Sequence, residues 1–493
     1  MKLKQSCPIA AENLSYLVLI GMVSAGFLGI VIGFDRHVPI WNDGFGYLED
    51  FEPKFKNESR WFTWLWFDLL NSLPPRLSLW LDLFSTGLIA HALLRPRLKL
   101  AEGLLFSLLL LLLLSSKAMI HMQPWPGGVF TTNLVTALVI YALSMHWPSS
   151  ARIAAFILGS LMIGGGYQFN HFILILALVT CRRHKPYSLR EFIGWSLLWV
   201  GTFVASYLFA RLLTVLRYGE APEVSRGYRV LNRETEALTD RTVENLVMIG
   251  GQIWREISGF LFSSWEELLA VLIVGLVIIG LRLSRGASAD FAYKAMWLAA
   301  PPIAVLFALA FANHIYISRL NIAFYLSFVV ALAWIGLGWQ GIRPRWATYA
   351  ISLAVAALVL PDLVTQTTRS QTRNGRIDTE LETLSVLLSE RGVVDTNRKL
   401  VIYDPQERII VRELKSNGHT VYYARQLSHQ TIHFCTSLQS HVCGTIRRLS
   451  RTDDPLRLCN REGEVLNDEK RPFTVVIASV DARCEAASVK DSP

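Results

Sequence analysis

A chain of 493 residues in which 52% are hydrophobic and 18% charged is too apolar for an ordinary soluble protein, whose apolar residues are fewer and more dispersed. Its formal net charge of +9 is carried largely by basic clusters beside the apolar runs, which argues for membrane anchoring and against nucleic-acid binding.

The apolar residues gather in windows of the length that crosses a bilayer core of about 30 Å at about 1.5 Å per residue. Eleven are predicted, at 14–34, 77–94, 101–116, 133–147, 151–165, 167–180, 192–215, 266–283, 295–313, 320–339 and 347–363. The fifth and sixth are separated only by GGGYQFN, which is either a turn between two spans or a kink in one. Lys and Arg accumulate in short cytoplasmic loops. Lys2, Lys4, Arg95, Arg97, Lys99, Arg152, Arg182, Arg183, Lys185, Arg282, Arg285, Lys294, Arg343 and Arg345 all fall on one side of the eleven-span arrangement. The amino terminus is therefore expected inside and the carboxyl terminus outside. The first apolar run is longer than the core of a cleavable signal and lacks a clear small-residue cleavage site.

Three outer segments are long enough to build a site: 35–76, 217–265 and 364–493. The first opens with Asp35 and the stretch WNDGFGYLED at 41–50. Trp41, Phe45 and Tyr47 wall Asp43 with aromatic surface, and Gly44 and Gly46 allow close backbone approach. Partial burial of that kind tunes a carboxylate toward work as a general base. Glu49, Asp50 and Glu52 are either auxiliary carboxylates or solvated charges. RWFTWLWFDLLNSL at 60–73 is too short to span and fits a helix lying in the interface with its Trp residues at headgroup level.

An anionic lipid headgroup calls for cations. Arg319, in HIYISRLNIAF at the outer end of the tenth window, can fork a phosphate as Lys cannot, or serve as an interfacial anchor. Arg211 lies inside the seventh window, where a charge defaults to a functional or paired reading. Lys117, at the outer end of the third window, and His121 after it are further candidates for phosphate ligands. Tyr167 and Gln168 in YQFNH either hold a structural kink or line a polar cavity, and His171 reads as structural. In MQPWPGG, Trp125 is either a stacking platform for a sugar ring or an interface anchor.

The last segment changes character. RIDTELETLSVLLSERG reads as a helix with a glycine stop, and KLVIYD, HTVYYA and FTVVIASV read as short buried strands. Together they predict a small α/β domain over 364–493, with a structural or acceptor-docking role. Cys435, Cys443, Cys459 and Cys484 all lie there and suit two disulfides in an oxidising compartment, free thiols, or a metal, although no C-x-x-C pair is present. The fold expected is mainly α: about eleven transmembrane helices over 1–363 and this extracytoplasmic domain.

The chain order of WNDGFGYLED, ESRW with its aromatic run, the outer turn after the third window, GYQ in mid-chain, the Arg of YISRLN and the tail opening TRNGRIDTELETLSVLL resembles the Gtr-type O-antigen glucosyltransferases of the GT-C superfamily. The resemblance implies inverting transfer of a sugar, glucose by analogy, from a polyprenyl-phosphate donor to a glycan such as O-antigen lipopolysaccharide at the outer face of a bacterial inner membrane. It assigns the catalytic base to Asp43. The family's Asp-Asp pair is Asn42-Asp43 here, which brings Glu49 or Asp50 in as partners. ESRW carries Ser59 where the family has Gly, and makes Arg60 a carbohydrate or phosphate contact. Some GT-C enzymes use Mg²⁺ or Mn²⁺, for which Asn42 and Asp43 are thin ligation. The expected partners are the lipid-linked donor, the glycan acceptor and the bilayer. A glycan polymerase or ligase, resting on outer Arg and His residues, is the alternative enzyme. A transporter using Arg211 and YQFNH is the non-enzyme reading, disfavoured by the lack of inverted halves.

Overall fold

The computed structural model describes residues 6–32, 52–71, 73–96, 99–120, 128–145, 147–180, 189–220, 238–261, 273–275, 278, 289–311, 322–337, 345–390, 399–403, 432–435, 465–467 and 473–477. Its contacts divide the chain into two units, 1–31 with 50–367 and 32–49 with 368–493, so that one division falls in the last helix between Thr367 and Thr368.

The first unit is a bundle of helices. They are α1 (Ser6–Phe27, continued by a π turn at Leu28–Ile32), the short α2 (Glu52–Glu58), α3 (Trp61–Leu65) and α4 (Phe67–Asn71), then α5 (Pro75–Leu94), α6 (Leu100–Leu114), α7 (Lys117–Ile120), α8 (Phe130–Ser144), α9 (Ser149–Gly164), α10 (Asn170–Thr180), α11 (Leu189–Tyr218), α12 (Leu238–Leu261), α13 (Ala289–Phe311), α14 (Ile322–Leu337) and α15 (Arg345–Glu390). Helices occupy every predicted window except 266–283, of which only 273–275 and 278 are described. The segments Arg76–Leu94, Ile193–Tyr218 and Trp346–Arg369 are long and apolar enough to cross a membrane. GGGYQFN is a turn, since α9 ends at Gly164 and α10 starts at Asn170.

Side-chain pairings give the helix directions. Trp80 Nε1 donates to Gly21 O at 3.2 Å, and the Tyr16 and His91 rings lie 5.0 Å apart, so α5 runs back along α1. His91 also meets Phe106 of α6 edge-on at 5.9 Å. Asn133 bonds Thr86, and Tyr141 bonds His91, so α8 runs parallel to α5. On the far side, Trp195 packs on Phe156 and Ser206 lies against Gly164, so α11 runs parallel to α9. The core these contacts enclose is built from Leu79, Leu83, Phe106, Leu109, Leu110 and Phe156, each at most 1% exposed. The beginnings of α5, α8 and α10 and the ends of α6, α9 and α11 consequently meet at one end, called the upper end below.

Two sequence expectations differ from the structure. The 60–73 stretch is two short helices broken at Trp66, whose N–H bonds the Thr63 carbonyl at 3.2 Å, one residue short of the helical partner Phe62. The eleventh window and the first helix of the tail are one helix of 46 residues that continues through Pro361 and Gly375.

The second unit holds the end of α15 and a four-stranded sheet in the order β2-β1-β4-β3. β1 (Lys399–Tyr403) pairs in parallel with β2 (Ile432–Cys435) and with β4 (Phe473–Ile477), while β3 (Val465–Asn467) is antiparallel to β4. The two inner strands read KLVIY and FTVVI, apolar runs of the kind that central parallel strands require. Ile402, at 0% exposed, pairs with Phe434 and Val476. HTVYYA, Cys443, Cys459 and Cys484 lie outside the described residues, and Cys435 ends β2.

Candidate functional site

The three glycines at 164–166 bring separate parts of the upper end together. A Cβ on Gly165 would stand 2.1 Å from Trp61 Nε1, and one on Gly166 would stand 2.1 Å from Thr132 Oγ1, so no larger residue fits at either position. The turn is then held by hydrogen bonds. The Gly165 carbonyl accepts the N–H groups of Phe62 at 2.8 Å and Thr63 at 3.4 Å. The Tyr167 N–H donates to Thr132 Oγ1 at 3.0 Å, and Gln168 Nε2 donates to Gly164 O at 3.3 Å. The segments that carry the predicted residues Arg60, Tyr167 and Gln168 are thus neighbours. Tyr167 is buried at 6% exposed. Arg60 pairs through Nε with Glu58 at 2.9 Å.

Ser59 has φ 57°, a left-handed conformation that favours glycine, and its hydroxyl is bonded to Thr214 of α11 at 2.9 Å. That bond offsets part of the conformational cost. It also fixes ESRW to α11, where Phe209 meets the Trp61 ring edge-on at 5.8 Å.

Beneath the turn lies a layer of buried polar side chains that the sequence reading missed. Asp82 of α5 is 2% exposed, and its Oδ1 accepts the N–H of Val129 at 3.3 Å. Its backbone carbonyl accepts the hydroxyls of Ser85 at 3.0 Å and Thr86 at 2.9 Å. Thr86 Oγ1 accepts Asn133 Nδ2 at 3.0 Å, Asn133 Oδ1 accepts Asn170 Nδ2 at 2.8 Å, and Asn170 Nδ2 also donates to Thr136 Oγ1 at 3.0 Å. This chain satisfies groups whose burial would otherwise cost about 1–3 kcal/mol each. Asn170 Oδ1 and Thr131 Oγ1, both buried, have no partner among the described residues; water or a ligand hydroxyl would supply the missing donors. The signal for this layer was present: a lone Asp in LWLDLF, inside the second window, and three successive polar residues in FTTNL, where the fourth begins, are departures that membrane segments rarely carry without a purpose.

The His171 ring is 1% exposed, with Nδ1 facing Gln168 O at 3.1 Å and Nε2 facing Ser206 Oγ at 3.2 Å. Nε2 thus ties α10 to α11, and Nδ1 ties the ring to the turn before α10. At the rim, Glu52 binds Arg217 at 2.5 Å and also Tyr218, and the Arg217 guanidinium lies 4.4 Å from the Trp64 ring centre, so α2 and α3 are strapped to the end of α11. Arg211 of α11 directs Nη1 to the Tyr207 hydroxyl at 3.2 Å, with its guanidinium 5.3 Å from that ring's centre. Lys117 is the first residue of α7. Asp43, Glu49, Asp50, His121, Trp125 and Arg319 lie outside the described residues. Among the described residues no group of three or more His, Cys, Asp or Glu is arranged to hold a metal.

No family model, curated protein or solved structure matches this chain.

Proposed function

We propose that the protein is a polytopic membrane glycosyltransferase of the GT-C type, which moves a sugar from a polyprenyl-phosphate donor to a cell-surface glycan at the outer face of a bacterial inner membrane. The observation that carries this reading is the polar layer inside the upper end of the bundle. Irregular backbone and buried amides are tolerated at bilayer depth only where protein buries them or where they line a wet cavity. The helices α6, α8, α9 and α10 have 15, 15, 16 and 11 residues. At about 1.5 Å per residue they reach roughly 17–24 Å, short of a core of about 30 Å. All four stop at this layer, which suits the floor of a recess open to one face of the membrane.

Two features tie that floor to the loops expected to carry the chemistry. Phe62 and Thr63, directly after ESRW, are bonded to the Gly165 carbonyl, while Val129, which follows the MQPWPGG loop, is bonded to Asp82. Arg95, Lys99 and Arg152 stand at the opposite ends of α5, α6 and α9, which supports an inner amino terminus.

In the reaction so read, Asp43 takes the proton of the acceptor hydroxyl as that oxygen bonds to the anomeric carbon. The bond from that carbon to the lipid phosphate oxygen breaks with inversion, and Arg319, Arg60 or Lys117 stabilises the departing anion. Glu49 and Asp50 are the candidate partners of Asp43, and a divalent ion is an optional aid to phosphate departure. Tyr167 and Gln168 shape the recess wall, and His121 and Trp125 belong to its rim. The test is complementation of a strain lacking this gene, with the surface glycan read by mass spectrometry. The reading requires the loss of one hexose in the deletion and its return with the wild-type chain; an unchanged glycan would refute it.

A further inference from the structure

The helix α12 is turned inside out. Val243, Val247 and Trp254, spaced by four and seven residues, form one stripe and are between 61% and 72% exposed. Arg241, Asn245 and Gln252 repeat that spacing two residues earlier, which sets them about 200° round the helix. Asn245 is 0% exposed and its Nδ2 donates to Ala310 O at 3.1 Å, so this second stripe faces the end of α13. A helix between a protein and water does the opposite, laying its apolar stripe on the core. Apolar outward and polar inward is the arrangement that lipid imposes. Asp240, Glu244 and Arg255, all exposed, flank the apolar stripe along one side, as in a helix lying at a membrane surface with its charges toward water.

The inward stripe is short of partners. Arg241 Nε and Gln252 Oε1 are both covered, and neither has a hydrogen bond among the described residues. No carboxylate among them pairs with Arg241 either. A partly covered guanidinium without a counter-charge is costly. Arg241 is also the fourth residue of α12, where the helix dipole disfavours a cation and draws an anion. The missing component is therefore an anion, and Arg241 as a whole is partly exposed, so one can reach it. It comes from the protein side, because the lipid-facing Val243, Val247 and Trp254 lie about 120–160° round the helix from Arg241.

We propose, resting on the transferase reading, that Arg241 receives the phosphate of the polyprenyl-linked donor, beside the cations considered above. A guanidinium carries five donors in a rigid fork, and with Nε covered its two Nη groups are still enough to hold two phosphate oxygens. The outward stripe seats α12 in the lipid from which the donor comes, while the inward stripe turns Arg241 away from that lipid. A bulk phospholipid beside Trp254 is thus a poor match, and a lipid phosphate drawn in behind the helix is a good one.

The experiment uses the full chain in phosphatidylcholine nanodiscs, titrated with a long-chain polyprenyl phosphate, with bound lipid counted by native mass spectrometry. Arg241→Gln is expected to weaken binding by about tenfold or more, the effect of losing a charge-assisted fork. Arg241→Lys, which keeps the charge without the fork, should fall between, and it carries the test if the glutamine variant does not fold. Arg255→Gln, which removes a charge from the exposed flank of the same helix, should bind as wild type, and excess phosphatidylglycerol should not displace the polyprenyl phosphate. Wild-type affinity in Arg241→Gln, or in Arg241→Lys where only that variant folds, overturns the site while leaving the transferase reading intact. An equal loss in Arg255→Gln would mean a general charge effect, and displacement by phosphatidylglycerol at equal concentration would make Arg241 a bulk-lipid anchor; either overturns the proposal. A wild-type chain that binds no polyprenyl phosphate sinks both the site and the transferase reading.

Discussion

The Asp82 carboxylate accepts the backbone N–H of Val129 at 3.3 Å, which ties the middle of α5 to the start of α8. Asp82→Asn keeps an acceptor at that place and should fold normally. Asp82→Leu strands the Val129 N–H in a buried site and should cost about 1–3 kcal/mol. Thermal unfolding of the purified protein, followed by tryptophan fluorescence, separates the two variants; equal midpoints would show that the contact contributes nothing.

The glycine run makes a second, sharper contrast. Gly165→Ala and Gly166→Ala place a methyl within 2.1 Å of Trp61 and Thr132, an overpacking expected to cost about 1–3 kcal/mol. Gly201→Ala, in α11 with nothing within 4 Å of its Cβ, should be neutral or stabilising by up to about 1 kcal/mol. The same unfolding measurement on all three tests the close approach, and a neutral Gly165→Ala would rule it out.

Asn133 and Asn170 belong to one hydrogen-bonded chain, so their effects should not add. A double-mutant cycle with Asn133→Ala and Asn170→Ala should give a coupling of about 0.5–3 kcal/mol. Coupling near zero would mean that the two amides act separately and that the polar layer is not a connected unit.

The rim strap is expected to matter less. The Glu52 and Arg217 side chains are 37% and 42% exposed, so solvent screens the pair. Glu52→Gln should cost at most about 1 kcal/mol, with an effect that shrinks as salt is raised. A salt-independent loss would point to the Tyr218 hydrogen bond as the larger contribution.

Helix positions were legible because long apolar windows leave few alternatives, and the inner strands KLVIY and FTVVI announced themselves the same way. Three things were not legible, each for a physical reason. Asp82, Thr86 and Asn133 are polar residues in largely apolar helices, and their meaning comes from partners up to 47 residues away. The break at Trp66, whose N–H bonds Thr63 in place of Phe62, leaves no mark in a stretch whose residues are all compatible with one helix. The fusion of the eleventh window with the tail helix was hidden by TRNGR, where Gly375 and clustered charges imitate a linker. Arg60, Tyr167 and Gln168 were chosen from separate motifs, and their segments do meet. The remaining predicted site residues lie outside the described residues, apart from Lys117, whose position is only that of the first residue of α7, and Arg211, which bonds Tyr207 within α11.

The central claim we propose is that the carboxylate of Asp43 is the base of a sugar transfer, and initial rates from a polyprenyl-phosphate hexose to a glycan acceptor test it most directly. Asp43→Asn keeps size and polarity while removing basicity, so donor binding should persist and turnover should fall by about 10²–10⁴-fold. Wild-type turnover in Asp43→Asn with loss in Glu49→Gln or Asp50→Asn would move the role to another carboxylate, and wild-type turnover in all three would contradict the account.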